Sequence, residues 1–261
     1  MSWLTVGGSD IHYLEVGSGE PLLFLHGNGS SALNWHQQVD AFRDRYRVIA
    51  YDSVNHGHSS NSPINAPEPD RVDELECALA ALAVNRPILC GHSMGGSTVV
   101  RWACRHPDQA QALIVSGMGV PREGTGAPRR GAILPLEAAF LPPSEGVFTE
   151  DWVRGHALEI DRYARLRSTG TRLEAQRHPR QATAANPSRD PKELASLVCG
   201  IRSPVLVIVG ARDNLRLAAE HLHELVPHSR LHVVDGNAHN EYYQAADEFN
   251  RVVFEFLAGV S

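Results

Sequence analysis

Arg86-Pro87-Ile88-Leu89-Cys90-Gly91-His92-Ser93-Met94-Gly95-Gly96 decides how the rest of the chain is read. An apolar run ends in Gly-x-Ser-x-Gly, and the helix-compatible segment Ser97 to Ala103 follows at once. A strand that turns straight into a helix around a serine needs residues without a side chain two positions either side. Such a turn lifts the Ser93 hydroxyl out of the sheet and aims the N–H groups of the new helix at whatever reacts there.

Working outward, short apolar runs alternate with helix-like segments. Ile11 to Val16 alternates as a half-buried strand does, whereas Pro21 to Leu25, Tyr46 to Tyr51, Ile88 to Cys90 and Ala112 to Ser116 are runs that suit strands buried on both faces. Between them, Asp70 to Val84 carries Val72, Leu75, Leu79 and Leu82 at helical spacing. The strand pattern returns at Pro204 to Val209 and Arg230 to Val234, and a closing helix, Glu248 to Leu257, puts Phe249, Val252, Val253, Phe256 and Leu257 on one face. This alternation predicts an α/β fold, a mostly parallel, doubly wound sheet with helices on both faces.

After Gly119 the character changes. Residues 121–202 hold 13 basic and 10 acidic side chains (+3), against 11 and 20 (−9) in the remainder. Pro121 to Gly146 is rich in Pro and Gly; Asp151 to Arg167 and Thr171 to Ala185 look helical. The chain therefore divides into a core of 1–119 plus 203–261 and a helical insertion at 120–202.

The bulk numbers are those of an ordinary globular chain of 261 residues, 43% hydrophobic and 21% charged. A net charge of −6 argues against nucleic-acid or membrane-surface partners. Neither a membrane-length apolar run nor a basic-then-apolar start is present, so a cytoplasmic location is expected. Cys77, Cys90, Cys104 and Cys199 lack metal-ligand spacing and read as free thiols. Nothing in the composition settles the oligomeric state.

Four further motifs fall at predicted strand ends, where ligands bind in open α/β sheets. Leu25-His26-Gly27-Asn28-Gly29 follows one strand and Asp52-Ser53-Val54-Asn55-His56-Gly57-His58-Ser59 the next. Val209-Gly210-Ala211-Arg212-Asp213 ends the strand after the insertion, and Gly236-Asn237-Ala238-His239 follows the last one. Each has a plain structural reading too: a glycine turn, a loop brace, a helix-capping Asp, one of 14 histidines. The order Ser93, Asp213, His239 resembles that of the α/β-hydrolase fold superfamily, and Gly91-His92-Ser93-Met94-Gly95-Gly96 looks like its small serine carboxylesterases and lactonases.

That resemblance implies a lid over Ser93 formed by the insertion. It also implies a catalytic triad of Ser93, His239 and Asp213, with an oxyanion hole from the Asn28 and Met94 N–H groups. His26, His56 and His58 are then structural. Asn55 stands where the family pattern has glycine, a mild departure because Asn tolerates left-handed backbone. No cofactor or metal is required. A serine nucleophile excludes the aspartate branches that open epoxides or displace halide. His92 and Asn240 stand where carbon–carbon hydrolases commonly carry Asn and Trp, so that branch is the weaker alternative.

The expected activity is cleavage of a small ester, lactone or thioester. Acyl transfer or perhydrolysis by the same triad, carbon–carbon hydrolysis, and a slow-turnover small-molecule receptor remain as alternatives. Trp35, Met118, Tyr242 and Tyr243 adjoin the loops and are candidates for a substrate pocket or for core packing. Arg122, Arg129, Arg130, Arg162 and Arg165 make the insertion a candidate carboxylate binder, with a solvated lid face as the plainer reading.

Overall fold

The computed structural model of the chain describes residues 2–63, 69–122, 147–169 and 191–260. Strands β1 (Ser2–Val6), β2 (Ser9–Val16), β3 (Glu20–Leu25) and β4 (Tyr46–Tyr51) come first, with helix α1 (His36–Phe42) before β4. Helix α2 (Arg71–Ala81), strand β5 (Ile88–His92), helix α3 (Met94–Arg105) and strand β6 (Ala112–Ser116) follow. Helices α4 (Glu150–Gly155), α5 (Ala157–Thr169) and α6 (Pro191–Val198) precede β7 (Val205–Gly210). The chain closes with α7 (Arg216–Leu225), β8 (Arg230–Val234), α8 (Glu241–Gln244) and α9 (Ala246–Leu257).

The eight strands make one sheet in the order β1-β2-β4-β3-β5-β6-β7-β8. Pairing is antiparallel for β1–β2 and β2–β4 and parallel from β4 through β8. Every residue of β5, β6 and β7 is buried, which is why these stretches read as unbroken apolar runs. Side chains still alternate between the faces. Leu23, Ile49, Leu89, Leu113 and Val207 pack with α2, α3, α6 and α7, while Leu22, Phe24, Ala50, Ile114 and Ile208 pack with Trp35, Phe42, Phe249 and Val253.

Strand order reverses at β3, whose neighbours are β4 on one side and β5 on the other. Successive chain crossings leave that edge in opposite directions and open a crevice beyond the strand ends. Register brings those ends level: Leu25 pairs with Tyr51 and Gly91, and His92 with Ser116. The loops after β3, β4, β5, β6, β7 and β8 therefore emerge along one rim.

Three features differ from the sequence expectation. The helix expected over 151–167 is two helices, broken after Gly155, where His156 leaves helical backbone and its Nδ1 lies 2.8 Å from the Trp152 carbonyl. Glycine's backbone freedom and a side-chain cap on a last-turn carbonyl supply the break. Edge strand β1, helix α1 and the 3₁₀ turn Ala32–Trp35 had no expectation at all. Within the segment read as insertion, Leu194 and Val198 of α6 lie in the core cluster beside α3 and α7. The helix expected over 171–185 falls outside the described residues. Among those described, no helix is long and apolar enough to cross a membrane.

Candidate active site

Ser93 sits between β5 and α3 with φ 52° and ψ −108°, one of three non-glycine residues of positive φ among those described. Holding a side chain there costs of order 1–3 kcal/mol, so the surroundings must impose it. They do so by close approach. A Cβ at Gly91 would lie 2.3 Å from the Gly95 carbonyl oxygen, and one at Gly95 would lie 2.2 Å from that of Leu25. The Ser93 N–H donates to the Ser116 carbonyl at 2.9 Å, and the Gly95 N–H to that of His26 at 3.1 Å.

Asp213, after β7, and His239, after β8, are joined directly. His239 Nδ1 lies 2.9 Å from Asp213 Oδ2, with the Asp213 side chain 2% exposed and that of His239 21% exposed. A carboxylate acceptor fixes the proton on Nδ1 and leaves Nε2 basic. The plainer reading of Asp213 as a helix cap also holds, through its other oxygen, which accepts the Leu215 N–H at 2.8 Å. The His239 ring lies 4.7 Å, centroid to centroid, from that of His92, next to Ser93. Gly117, at φ +54°, makes room for both, since a Cβ there would be 2.8 Å from His92 Cε1 and 3.2 Å from His239 Cε1. Ser93 and His239 are not hydrogen-bonded to each other; this contact commonly tightens only around a reacting substrate.

Among the described residues, neither the Asn28 nor the Met94 N–H donates a hydrogen bond within the protein. Met94 opens α3, so its N–H is one of the donors a helix start leaves free, at the positive end of the dipole. His26 holds the loop beneath. Its Nε2 accepts the Ser53 N–H at 3.0 Å, so Nδ1 carries the proton and donates to the Gly27 carbonyl at 2.8 Å. Burial lowers its pKa, against a smaller opposing pull from Asp52. This is the structural role read for it.

The Asp52 loop is a brace. Asp52 accepts N–H groups from Ala32 at 2.7 Å and His58 at 3.0 Å, and its Oδ2 lies 2.8 Å from His12 Nδ1. Asn55 has φ 68°, the left-handed backbone its substitution for glycine requires. His56 Nδ1 lies 3.1 Å from the Val54 carbonyl. His12, Asp52 and His58 are the group, among the described residues, whose side chains lie near enough to share a metal ion. The Asp52 oxygens are already taken up by this bracing.

Of the candidate pocket residues, Trp35 and Tyr242 are 0% and 1% exposed. Their rings lie 4.4 Å apart, with Trp35 also against Phe24. They are core packing and offer no face to a substrate. Tyr243 is buried against Phe148, just before α4, and Tyr163 of α5. Met118 is half-buried, close to Gly96 of α3. Of the insertion's arginines, Arg122 pairs with Glu224, Arg162 with Glu159 and Arg165 with Asp161, as on a solvated face. Arg129 and Arg130 lie outside the described residues.

Sequence reasoning passed over Glu241, Ser116 and Gly117. Glu241 is fully buried with Oε1 2.6 Å from Ser116 Oγ, and Ser116 Oγ is 3.0 Å from His92 Nδ1. Burial pushes the Glu241 carboxyl well above the usual range and the His92 imidazole well below it. A buried acid 125 positions from its partner leaves no local signal.

Comparison with known proteins agrees with this fold. The profile of the alpha/beta hydrolase fold matches residues 20–246. A 2-hydroxy-6-oxononadienedioate/2-hydroxy-6-oxononatrienedioate hydrolase of Burkholderia vietnamiensis is 30% identical, over 95% of this chain and 90% of its own. Among solved structures, Est816, an N-acyl homoserine lactone degrading enzyme, superposes with a TM-score of 0.78 at 21% identity, covering 98% of this chain and all of its own. The enol-lactonase of Burkholderia xenovorans LB400 gives 0.76 at 23%, with the same coverage. With its strand order, its serine turn and its Asp–His pair on one rim, the chain belongs to the alpha/beta hydrolase fold family.

Proposed function

We propose that this protein is a serine hydrolase that cleaves a small ester, lactone or thioester through an acyl-enzyme on Ser93. The observation that carries the reading is the 2.9 Å Asp213–His239 pair on the rim that also presents the strained Ser93 turn. His239 Nε2 takes the Ser93 hydroxyl proton as Oγ bonds to the acyl carbon, and Asp213 stabilises the imidazolium. The oxyanion accepts the Asn28 and Met94 N–H groups; losing one such donor typically costs about 3–4 kcal/mol of barrier. The intermediate collapses as His239 returns the proton to the leaving oxygen or sulfur. Water, deprotonated by the same imidazole, then releases the acid.

A second reading, carbon–carbon hydrolysis, is favoured by the relative matched over nearly the full length, whose name gives a 2-hydroxy-6-oxo dienoate as substrate. The same three residues serve it, with the proton returned to carbon. His92 and Asn240 weigh against it. A panel of short-acyl esters, lactones and a 2-hydroxy-6-oxo dienoate, run on wild type and Ser93→Ala, separates the two. Turnover of esters or lactones, abolished in Ser93→Ala, is expected. Turnover of the dienoate alone would establish the second reading, and full activity in Ser93→Ala would defeat both.

A further inference from the structure

Behind the His239 ring runs a file of side chains that the proposed reaction leaves unused. Glu241 Oε1 is 2.6 Å from Ser116 Oγ, which is 3.0 Å from His92 Nδ1. The Asn240 side chain adjoins His92. Asn240 Nδ2 lies 2.7 Å from Tyr163 Oη on α5. All five residues are buried: Glu241, Ser116, His92, Asn240 and Tyr163. They come from α8, β6, β5, the loop after β8 and the insertion, so the file ties the insertion to the residue that follows His239.

Each interior member has one proton to give along the file, so the whole has two senses. In one, Tyr163 donates toward Asn240, His92 donates from Nδ1, Ser116 donates to Glu241, and Glu241 is free to be an anion. In the other, Glu241 donates to Ser116 and Ser116 to His92 Nδ1, which leaves the His92 proton on Nε2, while Asn240 donates to Tyr163. The first sense leaves a carboxylate with no exposure and an Oε2 that has no hydrogen-bond partner. A buried anion held there by neutral donors alone, the Ser116 hydroxyl and the N–H groups of Gly117 and Glu241, costs more than a neutral acid.

The groups around the carboxyl point the same way. Asp213 disfavours a second negative charge, and the neighbouring Cys90 and Tyr242 can contribute only negative charge. The Ser116 hydroxyl and the N–H groups of Gly117 and Glu241 pull toward the charged form, less strongly than burial opposes it.

We propose that Glu241 is a positioning residue: a neutral carboxylic acid that donates to Ser116 and sets the direction of the whole file, holding His92 in its Nε2–H form. Two consequences follow for the triad. Among the described residues, Asp213 is then the anion that meets the His239 imidazolium, with no charge on Glu241 to share that role. Asn240, hydrogen-bonded to Tyr163 of α5, ties the His239 loop to that helix. The first consequence rests on His239 being the base; the protonation of Glu241 does not.

The test uses the full chain and Glu241→Gln, whose amide can donate to Ser116 as the acid does. Infrared spectra in heavy water at neutral pH should show a protonated-carboxyl band in wild type that Glu241→Gln lacks. Nitrogen-15 spectra of labelled histidine should show His92 as the Nε2–H form in both proteins. In Ser116→Val, where the file is cut, that single form should be lost. An unchanged carboxyl region, or His92 as the Nδ1–H form or as imidazolium, would overturn the proposal. If Glu241→Gln does not fold, the wild-type histidine spectrum alone decides, because the two senses give opposite tautomers. Phosphonate labelling of Ser93 in the same samples reports separately on the hydrolase reading.

Discussion

Keeping Glu241 uncharged has a consequence for stability that can be read against pH. Its folded-state pKa is raised by burial, so over a window beginning near the ordinary carboxylate range, about pH 4.5, the folded chain holds a proton that the unfolded chain has released. Stability from this group is therefore lost as pH climbs through that window. His92 acts in the opposite direction: its pKa is lowered by burial, so stability rises with pH until the unfolded histidine is neutral, above about 6.5. Measured against Glu241→Gln, which keeps His92 and every other group, the Glu241 contribution appears alone, as wild-type stability falling with pH wherever the folded acid is protonated and the unfolded one is not. Melting curves should show wild type losing ground to Glu241→Gln as pH rises from about 4.5; parallel curves would mean that the folded acid ionises as the unfolded one does. At this scale the sequence displayed Ser93, Asp213 and His239, because each stands just beyond a strand. It did not display Glu241, whose partners Ser116 and Asp213 are distant in sequence and which reads locally as an ordinary polar helix residue.

The turn from β5 into α3 depends on backbone touching backbone. At Gly95 a Cβ would meet the Leu25 carbonyl at 2.2 Å, a contact no side-chain rotation relieves. Gly236, at φ +69°, has nothing within 4 Å of where a Cβ would stand, so it isolates the conformational part alone. Denaturant unfolding should therefore find Gly95→Ala destabilised by about 3 kcal/mol or more and Gly236→Ala by about 1 kcal/mol. Equal costs would show that the close approach to β3 is not what the turn requires. The strands were the most legible elements, because burial on both faces leaves Pro21 to Leu25 and Pro204 to Val209 no polar positions. The insertion was least legible. Its break at Gly155–His156 depends on a cap to Trp152, and α1 begins at His36, straight after a 3₁₀ turn, with no side-chain cap to announce it.

Taken whole, the sheet brings together groups from widely separated stretches: a serine at 93, an aspartate at 213 and a histidine at 239 share one rim because parallel register levels the strand ends. A slow-turnover receptor, a transferase and a hydrolase on this scaffold would all keep that rim, and they differ in what the Ser93 hydroxyl does next. Its activation by the Asp213–His239 pair is common to every catalytic reading and is measurable without a natural substrate. The direct measurement is the rate and site of phosphonylation by a fluorophosphonate, followed by intact mass and peptide mapping in wild type, Ser93→Ala and Asp213→Asn. A single adduct on Ser93 is expected in wild type and none in Ser93→Ala. In Asp213→Asn the same adduct should form more slowly by about 10³–10⁴-fold, because the imidazole loses its tautomer and its counter-charge. An adduct elsewhere, or an Asp213→Asn protein labelled as fast as wild type, would contradict a triad built on Ser93, Asp213 and His239.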